Sequence, residues 1–286
     1  MAYARGTIGF ELEAATRILQ KAGVETAIRD AQLLVAHFFG MEVGLLRMRL
    51  EMPVPHKYTE FGAQSYKYDI LTARGRGRPV SKIIGKKAFW NAEFRVSDDV
   101  LDPRPDTERL IEVALEHPFD RVLDLGTGSG CILISLLQEQ RQATGLGVDI
   151  SERALKLAQL NSQDAGTQDV AFWRVSDWFE NVEGQFDLIV SNPPYIALDE
   201  MADLSKDVRD FDPHVALTDG GDGLSCYRKI CAQVKGFLRP KGRLIVEIGP
   251  TQATAVSQMF KDAGLEYVQV FQDLDGRDRV ISGNAG

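Results

Sequence analysis

Asn192, Pro193, Pro194 and Tyr195 form a loop equipped for one chemical task. A buried-strand pattern, Phe186-Asp187-Leu188-Ile189-Val190, runs directly into it. Each proline fixes its own φ and lacks a backbone donor, and Pro194 biases Pro193 toward extended geometry. The loop is therefore stiff. It carries the side-chain oxygen of Asn192, the backbone oxygen of Pro193, and the ring and hydroxyl of Tyr195. This set suits a flat, neutral NH2 group, with carbonyls accepting its two N–H bonds and a ring lying against its face. The nitrogen of such a group is a poor nucleophile, because its lone pair is delocalised. That holds for a carboxamide and for the amino group of adenine alike. Holding the nitrogen in line with an electrophile removes part of the barrier. Carbonyl dipoles stabilise the positive charge that builds on it. No dedicated base stands out, so the proton leaves to water after transfer. Asn192, Pro193 and Tyr195 are the candidate catalytic residues, and Pro194 joins them in holding the substrate.

The electrophile has its own motif upstream. Val122-Leu123-Asp124-Leu125 reads as a strand and ends in Gly126-Thr127-Gly128-Ser129-Gly130, after which a helix begins. Glycines let the main chain turn tightly, and the helix start offers unpaired N–H groups. In open α/β sheets, ligands collect at the carboxyl ends of strands. Asp149 closes the next strand, where a carboxylate can grip ribose hydroxyls. The spacing is GxGxG, not the GxGxxG of dinucleotide folds, which favours S-adenosylmethionine over NAD as the bound cofactor. Asp124 is placed to order that cofactor's amino-acid end, directly or through water. Asp177 can accept from an adenine amino group, and the Trp178 ring can pack on the base. A core role for Trp178 stays open.

The elements that must position these residues follow from periodicity. Strand candidates are 121–125, 145–149, 170–175, 186–190, 243–248, 266–271 and 278–282. Helix candidates are 130–140, 151–163, 225–238 and 251–263. This alternation predicts a largely parallel sheet covered on both faces, with the last two strands an antiparallel pair at one edge. Residues 10 to 73 carry helical apolar stripes, such as Ala31, Leu34, Val35, Phe38 and Phe39 before Gly40. Short strands are expected around Ile83-Ile84, Phe89-Trp90 and Phe94-Arg95-Val96.

Composition narrows the partners. The chain has 286 residues and a formal net charge of −8, which argues against broad, sequence-independent nucleic-acid binding. Arg74-Gly75-Arg76-Gly77-Arg78 reads either as a solvated hinge or as a local phosphate patch. Cys131, Cys226 and Cys231 form no CxxC pair, so no metal site is expected. Their scarcity fits a reducing cytoplasm. The first ten residues show no signal-peptide pattern, and no apolar segment approaches the ~20 residues of a membrane span. Arg104 and Glu108 are either a surface pair or part of a stiff flap. Glu247, ending a strand, lies near the active face or serves a structural hydrogen bond.

Together these motifs resemble class I S-adenosylmethionine-dependent methyltransferases that act on planar NH2 groups. The closer resemblance is to the peptide-chain release factor glutamine N5-methyltransferases, the PrmC/HemK family. Leu101-Asp102-Pro103-Arg104-Pro105-Asp106-Thr107-Glu108 is similar to that family's PRPxTE segment. The DLGTGSG run from Asp124 to Gly130 and SNPPYI from Ser191 to Ile196 match as well. So do Asp219-Gly220-Gly221-Asp222-Gly223-Leu224 and the terminal Asp275-Gly276-Arg277-Asp278-Arg279-Val280. NPPY alone is shared with DNA adenine methyltransferases. One departure is Phe211-Asp212-Pro213, where the family often has Tyr-Glu-Pro. The resemblance implies a Rossmann-like domain with a mostly parallel seven-stranded sheet over 101–286, a joining β-hairpin over 80–100, and a helical bundle over 1–79 that recruits substrate. It implies that Gly126, Thr127, Gly128, Ser129, Gly130, Asp149 and Trp178 contact the cofactor, and that Asn192 to Tyr195 hold the substrate glutamine with Asn192 near the methyl donor. The expected reaction transfers a methyl group to the glutamine amide of the Gly-Gly-Gln loop in class 1 release factors, in the cytoplasm, with no membrane partner and no metal. The alternatives are an adenine N6-methyltransferase, an NAD-dependent oxidoreductase and a non-catalytic cofactor-binding module.

Overall fold

The computed structural model describes residues 3–286, so the first two residues of the expected N-terminal domain lie outside it. The chain divides into two compact units, one ending at Gly85 and the other beginning at Lys86.

The first unit is helical. It contains α1 (Ile8–Lys21), α2 (Ala27–Phe39), α3 (Val43–Met48), α4 (Phe61–Gly75) and α5 (Val80–Ile84). Thr7 caps α1 by accepting the Phe10 N–H, and Gly40 ends α2 in the left-handed conformation. Leu19, Ala31, Leu34, Val35, Leu46 and Leu71 form its dry centre. The strand expected at Ile83-Ile84 is a helix. Val80, Ile83 and Ile84 pack on the same apolar cluster, a one-sided demand that helical spacing meets, and Gly85 stops the turn at φ +74°. Nor is Arg74 a solvated hinge residue. Its guanidinium meets the buried Asp30 at 2.6 Å and donates to the carbonyls of Gly77 and Arg78.

The second unit opens with a hairpin of β1 (Lys86–Phe89) and β2 (Ala92–Arg95). The hairpin is shorter than the expected linker and belongs to this unit's core, because Phe89 and Phe94 are buried in its main apolar cluster. Arg95 donates its N–H to Asn161 Oδ1 at 2.7 Å. The remaining elements are α6 (Glu108–Leu115), β3 (Arg121–Leu125), α7 (Cys131–Glu139), β4 (Thr144–Asp149), α8 (Glu152–Ala165), β5 (Ala171–Val175), β6 (Phe186–Ser191), α9 (Lys206–Phe211), α10 (His214–Leu217), α11 (Ser225–Gln233), β7 (Leu238–Glu247), α12 (Ala253–Asp262), β8 (Leu265–Gln272) and β9 (Asp278–Ala285).

Seven strands make one sheet in the order β5-β4-β3-β6-β7-β9-β8. The pairs from β5 to β7 are parallel, and β9 runs antiparallel to both β7 and β8. The expected antiparallel pair is present, with β9 threaded inside β8. The chain builds outward from β3 to β5, then returns to β6 on the other side of β3. That reversal leaves a crevice at the carboxyl ends of β3 and β6. Leu123, Leu125, Ile189, Leu244 and Val246 are fully buried on one face of the sheet, and Val122, Leu188, Val190 and Ile245 on the other. Helices α6, α9 and α10 were not expected from sequence.

Arg243 shows how tightly the sheet holds its helices. It is 7% exposed and donates to the carbonyls of Val113, Ala114 and His117 at 2.8–3.2 Å, satisfying the open end of α6. Burial lowers its pKa, yet three acceptors face its donors. Arg243→Ala strands those carbonyls. It is expected to destabilise the unit by about 3 kcal/mol, read as a lower urea midpoint with an unchanged m-value.

Candidate active site

A cavity of about 340 Å³ lies at the carboxyl ends of β3, β4, β5 and β6. Gly126, Thr127, Gly128, Ser129, Asp149, Asp177, Trp178, Asn192 and Pro194 all line it. These residues span about seventy positions of sequence and meet only because parallel strands end together.

The glycine loop folds across the end of β4. Gly126 and Thr127 both donate their N–H groups to the Val148 carbonyl at 2.9 Å. Gly128 donates to Asp149 Oδ2 at 2.9 Å, and Ser151 donates to Asp149 Oδ1 at 2.9 Å. The acid is thus aimed by the loop it serves. Burial raises its pKa, against the pull of these N–H groups. Gly130, expected as a contact residue, does not line the cavity. It starts α7 at φ +79°, and a Cβ there would stand 2.9 Å from the Trp173 ring and 3.0 Å from Ala158. The third glycine of the motif lets α7 pack down, which brings the first two to the cavity.

Asp124 also lies off the cavity wall. Its carboxyl is fully buried and accepts from Thr127 Oγ1 at 2.6 Å, and its Oδ1 has no hydrogen-bond partner among the described residues. Burial pushes its pKa up to about 7. A direct contact with a cofactor is not what this placement offers; Asp124 braces the loop from beneath. Trp178 serves the core and the cavity wall at once. It packs against the apolar cluster and lines the cavity, held at φ +52°. Asp177 lines the wall with its Oδ2 3.7 Å from Lys229 Nζ.

The opposite wall comes from the segment before α6. Leu101, Asp102, Pro103, Arg104 and Thr107 line the cavity together with Pro213 and Val215. Arg104 does not pair with Glu108. Its Nη2 meets the buried Asp212 Oδ2 at 2.6 Å, while Glu108 Oε1 accepts the Trp90 N–H. The aspartate of Phe211-Asp212-Pro213 therefore has reach enough for its arginine.

The Asn192 amide is joined to this wall. Its Nδ2 donates to Thr107 Oγ1 at 3.2 Å. Of the loop residues, Asn192 and Pro194 line the cavity, whereas Pro193 is buried and Tyr195 packs against the apolar cluster. Several contacts fix the loop. Ser191 Oγ donates to the Leu125 carbonyl at 2.8 Å, and Gln252 Nε2 donates to the Tyr195 carbonyl at 2.8 Å. Gln252 Oε1 accepts the Gly249 N–H at 2.9 Å. The Tyr195 hydroxyl donates to Glu247 Oε1 at 3.4 Å, and burial raises its pKa.

Thr107, Gln252 and Asp219 were not singled out from the sequence. Asp219 accepts from the N–H groups of Gly221, Gly223 and Ser225 and from the Ser225 hydroxyl, folding the 219–225 turn onto Tyr195. Thr107 and Asp219 sit inside motifs visible in the sequence, but their partners lie far along the chain. Among the described residues no cluster could hold a metal ion, and the three cysteines are free and buried.

Two buried acids give the fold a pH dependence. Burial pushes Glu247, like Asp124, up to about 7 from an ordinary value of 4.5. Between the ordinary and raised values the folded chain binds more protons than the unfolded one, so stability falls as pH rises through that window. Depressed acids such as Asp187, Asp219 and Asp273 act only at lower pH. The ligand-free protein is expected to melt roughly 5 °C lower at about pH 8 than at about pH 5. Glu247→Gln should flatten part of that slope in a calorimetric pH series.

Comparison with known proteins agrees with this layout. Residues 12–85 match the family model described as the PrmC N-terminal domain, and residues 94–208 match the methyltransferase small domain. A release factor glutamine methyltransferase of Cereibacter sphaeroides is 47% identical over 271 residues, covering 95% of this chain and 96% of that protein. One from Agrobacterium fabrum is 40% identical, covering 96% of each. Among solved structures, a methyltransferase from Pyrococcus furiosus superposes with a TM-score of 0.55 at 14% identity, covering 79% of this chain and 98% of that one, which shows the shared fold. With relatives this similar across nearly their whole length, the chain belongs to the release factor glutamine methyltransferase family.

Proposed function

We propose that this enzyme transfers a methyl group from S-adenosylmethionine to the side-chain amide nitrogen of the glutamine in the Gly-Gly-Gln loop of class 1 release factors. The observation that carries this reading is the Asn192 amide, held on the wall of the glycine-loop cavity with its NH2 side turned to Thr107. That orientation leaves Oδ1 to accept an N–H from an incoming amide.

The cavity residues fit the cofactor. Asp149 has carboxylate lone pairs beyond those used by Gly128 and Ser151, which suits ribose hydroxyls. Trp178 offers a ring and Asp177 an acceptor for an adenine base. When bound, the cofactor supplies an electrophilic methyl group. Asn192 and the Pro193 carbonyl take the hydrogens of the substrate NH2 and fix its approach. The stiff Pro-Pro geometry keeps these acceptors in place without reorganisation at the moment of transfer. The segment around Arg104, tied to Asp212, closes the cavity against water. The helical first unit recruits the release factor, and the reaction runs in the cytoplasm. Among the described residues no helix is long and apolar enough to cross a membrane.

The test is direct. The protein is incubated with methyl-labelled S-adenosylmethionine and, separately, with purified release factor, DNA and RNA. Label on the Gly-Gly-Gln glutamine supports the proposal. Label in nucleic acid with none on the release factor overturns it.

A further inference from the structure

Pro193 and Pro194 stiffen the substrate loop but bring no N–H of their own. Stiffness fixes a shape, not a place, so the loop needs outside donors to seat it. One such donor stands at its far end. Gln252 directly precedes α12, off the cavity wall, and its side-chain amide is fully engaged. Nε2 donates to the Tyr195 carbonyl at 2.8 Å and to the Gly223 carbonyl at 3.1 Å. Oε1 accepts the Gly249 N–H at 2.9 Å and the Tyr227 hydroxyl at 3.3 Å. A carboxamide offers two hydrogens and two oxygen lone pairs, and each has its partner here.

These partners force the orientation of the amide. Turned over, its oxygen would face two carbonyls and its NH2 would face the Gly249 N–H. The backbone around it is cut to fit. A Cβ on Gly223 would lie 2.9 Å from Nε2, and one on Gly249 would lie 3.2 Å from Oε1 and 3.4 Å from the Tyr195 ring. Tyr227 is itself fully buried and also donates to the Glu247 carbonyl at 2.8 Å. One side chain thus joins the loop after β6, the 219–225 turn and the end of β7. At the loop's near end, Ser191 Oγ holds the Leu125 carbonyl, on the strand that enters the glycine loop.

We infer that Gln252 is a positioning residue for methyl transfer: by drawing the Tyr195 carbonyl onto its NH2, it seats the Asn-Pro-Pro-Tyr loop so that Asn192 and the Pro193 carbonyl meet the substrate nitrogen in line with the methyl donor. This rests on those two acceptors holding the substrate amide. Gln252 adds no group to the reacting centre. It sets the place from which the others work, and a misplacement of ~1 Å slows transfer about 100-fold.

The experiment compares wild type with Gln252→Glu and with Gln258→Glu, which puts the same charge on an exposed position of α12. Gln252→Glu keeps an oxygen for Gly249 and Tyr227 but turns a second oxygen on the two carbonyls, so it breaks the arm that holds Tyr195. Measured are kcat for transfer to release factor well below each Tm, cofactor affinity by calorimetry, and the ¹³C resonance of the Tyr195 carbonyl. Tyr195-Ile196 is the one Tyr-Ile step in the chain, so ¹³C-tyrosine with ¹⁵N-isoleucine isolates that carbonyl. Gln252→Glu is expected to lower kcat about 10-fold or more while cofactor affinity stays within about 2-fold. The Tyr195 carbonyl resonance should shift with it, and Gln258→Glu should match wild type in all three. Should Gln252→Glu fail to fold, Gln252→Met removes the same donor without adding charge and carries the same expectations. A kcat near the wild-type value, a loss of cofactor affinity as large as the loss of kcat, or an unmoved Tyr195 resonance overturns the inference. A wild-type enzyme that labels nucleic acid instead would sink the proposed substrate, and kcat with that acceptor, read beside the resonance, would still decide whether Gln252 seats the loop.

Discussion

Asn192→Ala is expected to lower kcat for glutamine methylation by about 100-fold to 1000-fold, the range seen when one preorganised polar group is lost from a reacting centre. Cofactor affinity should change far less. The cavity keeps Gly126 to Ser129, Asp149 and Trp178 without the Asn192 side chain. The truncation removes the acceptor aimed at the substrate nitrogen and leaves Thr107 without its Asn192 donor. Single-turnover transfer from a preformed cofactor complex checks this, with cofactor binding measured beside it. Turnover near the wild-type value would mean that the amide is not held by Asn192.

The second large effect is expected at Gly223, which lies outside the cavity. This residue stands at φ +73°, and a Cβ built on it would lie 2.3 Å from the Tyr195 carbonyl oxygen. That carbonyl also receives Gln252 Nε2. Gly223→Ala must push the Tyr195 backbone, move the 219–225 turn, or both. The left-handed conformation alone costs on the order of 1–3 kcal/mol for a non-glycine residue. Displacing the loop by ~1 Å is enough to lower transfer about 100-fold. The expected result is a lower Tm together with a fall in kcat larger than any fall in cofactor affinity. A variant that is merely less stable, with normal kcat at low temperature, would show that Gly223 does not position the loop.

Much of this site was legible in the sequence because its main parts are local. A strand running into Gly-Thr-Gly-Ser-Gly and a strand running into Asn-Pro-Pro-Tyr each state their own backbone geometry. Parallel strands then bring their ends to one edge. The antiparallel pairing of the last two strands followed from the absence of a helix between them, but their order in the sheet did not. The parts that were not legible depend on distant partners. No local pattern says that Arg104 will choose Asp212, 108 positions away, over Glu108 one turn on. The helix at 80–84 was read as a strand because two adjacent isoleucines carry no period. Its packing partners, which lie in α2 and α4, decided it. Asp124 and Gly130 were correctly tied to the loop but assigned to its ligand face. Sequence shows that a residue serves a turn, whereas burial shows which side of the turn it serves.

The position of β9 has a consequence for how the sheet is put together. This strand follows β8 in the chain, yet it lies between β7 and β8, with Val280 opposite Glu247. It carries Arg279, the cation that faces the acid beneath the Asn-Pro-Pro-Tyr loop. A chain short of its final residues has the glycine loop and the substrate loop but lacks the strand that completes the sheet between β7 and β8. The β7–β9 ladder is what sets Arg279 beside Glu247, so the acid beneath the substrate loop has its cation only once that ladder has formed.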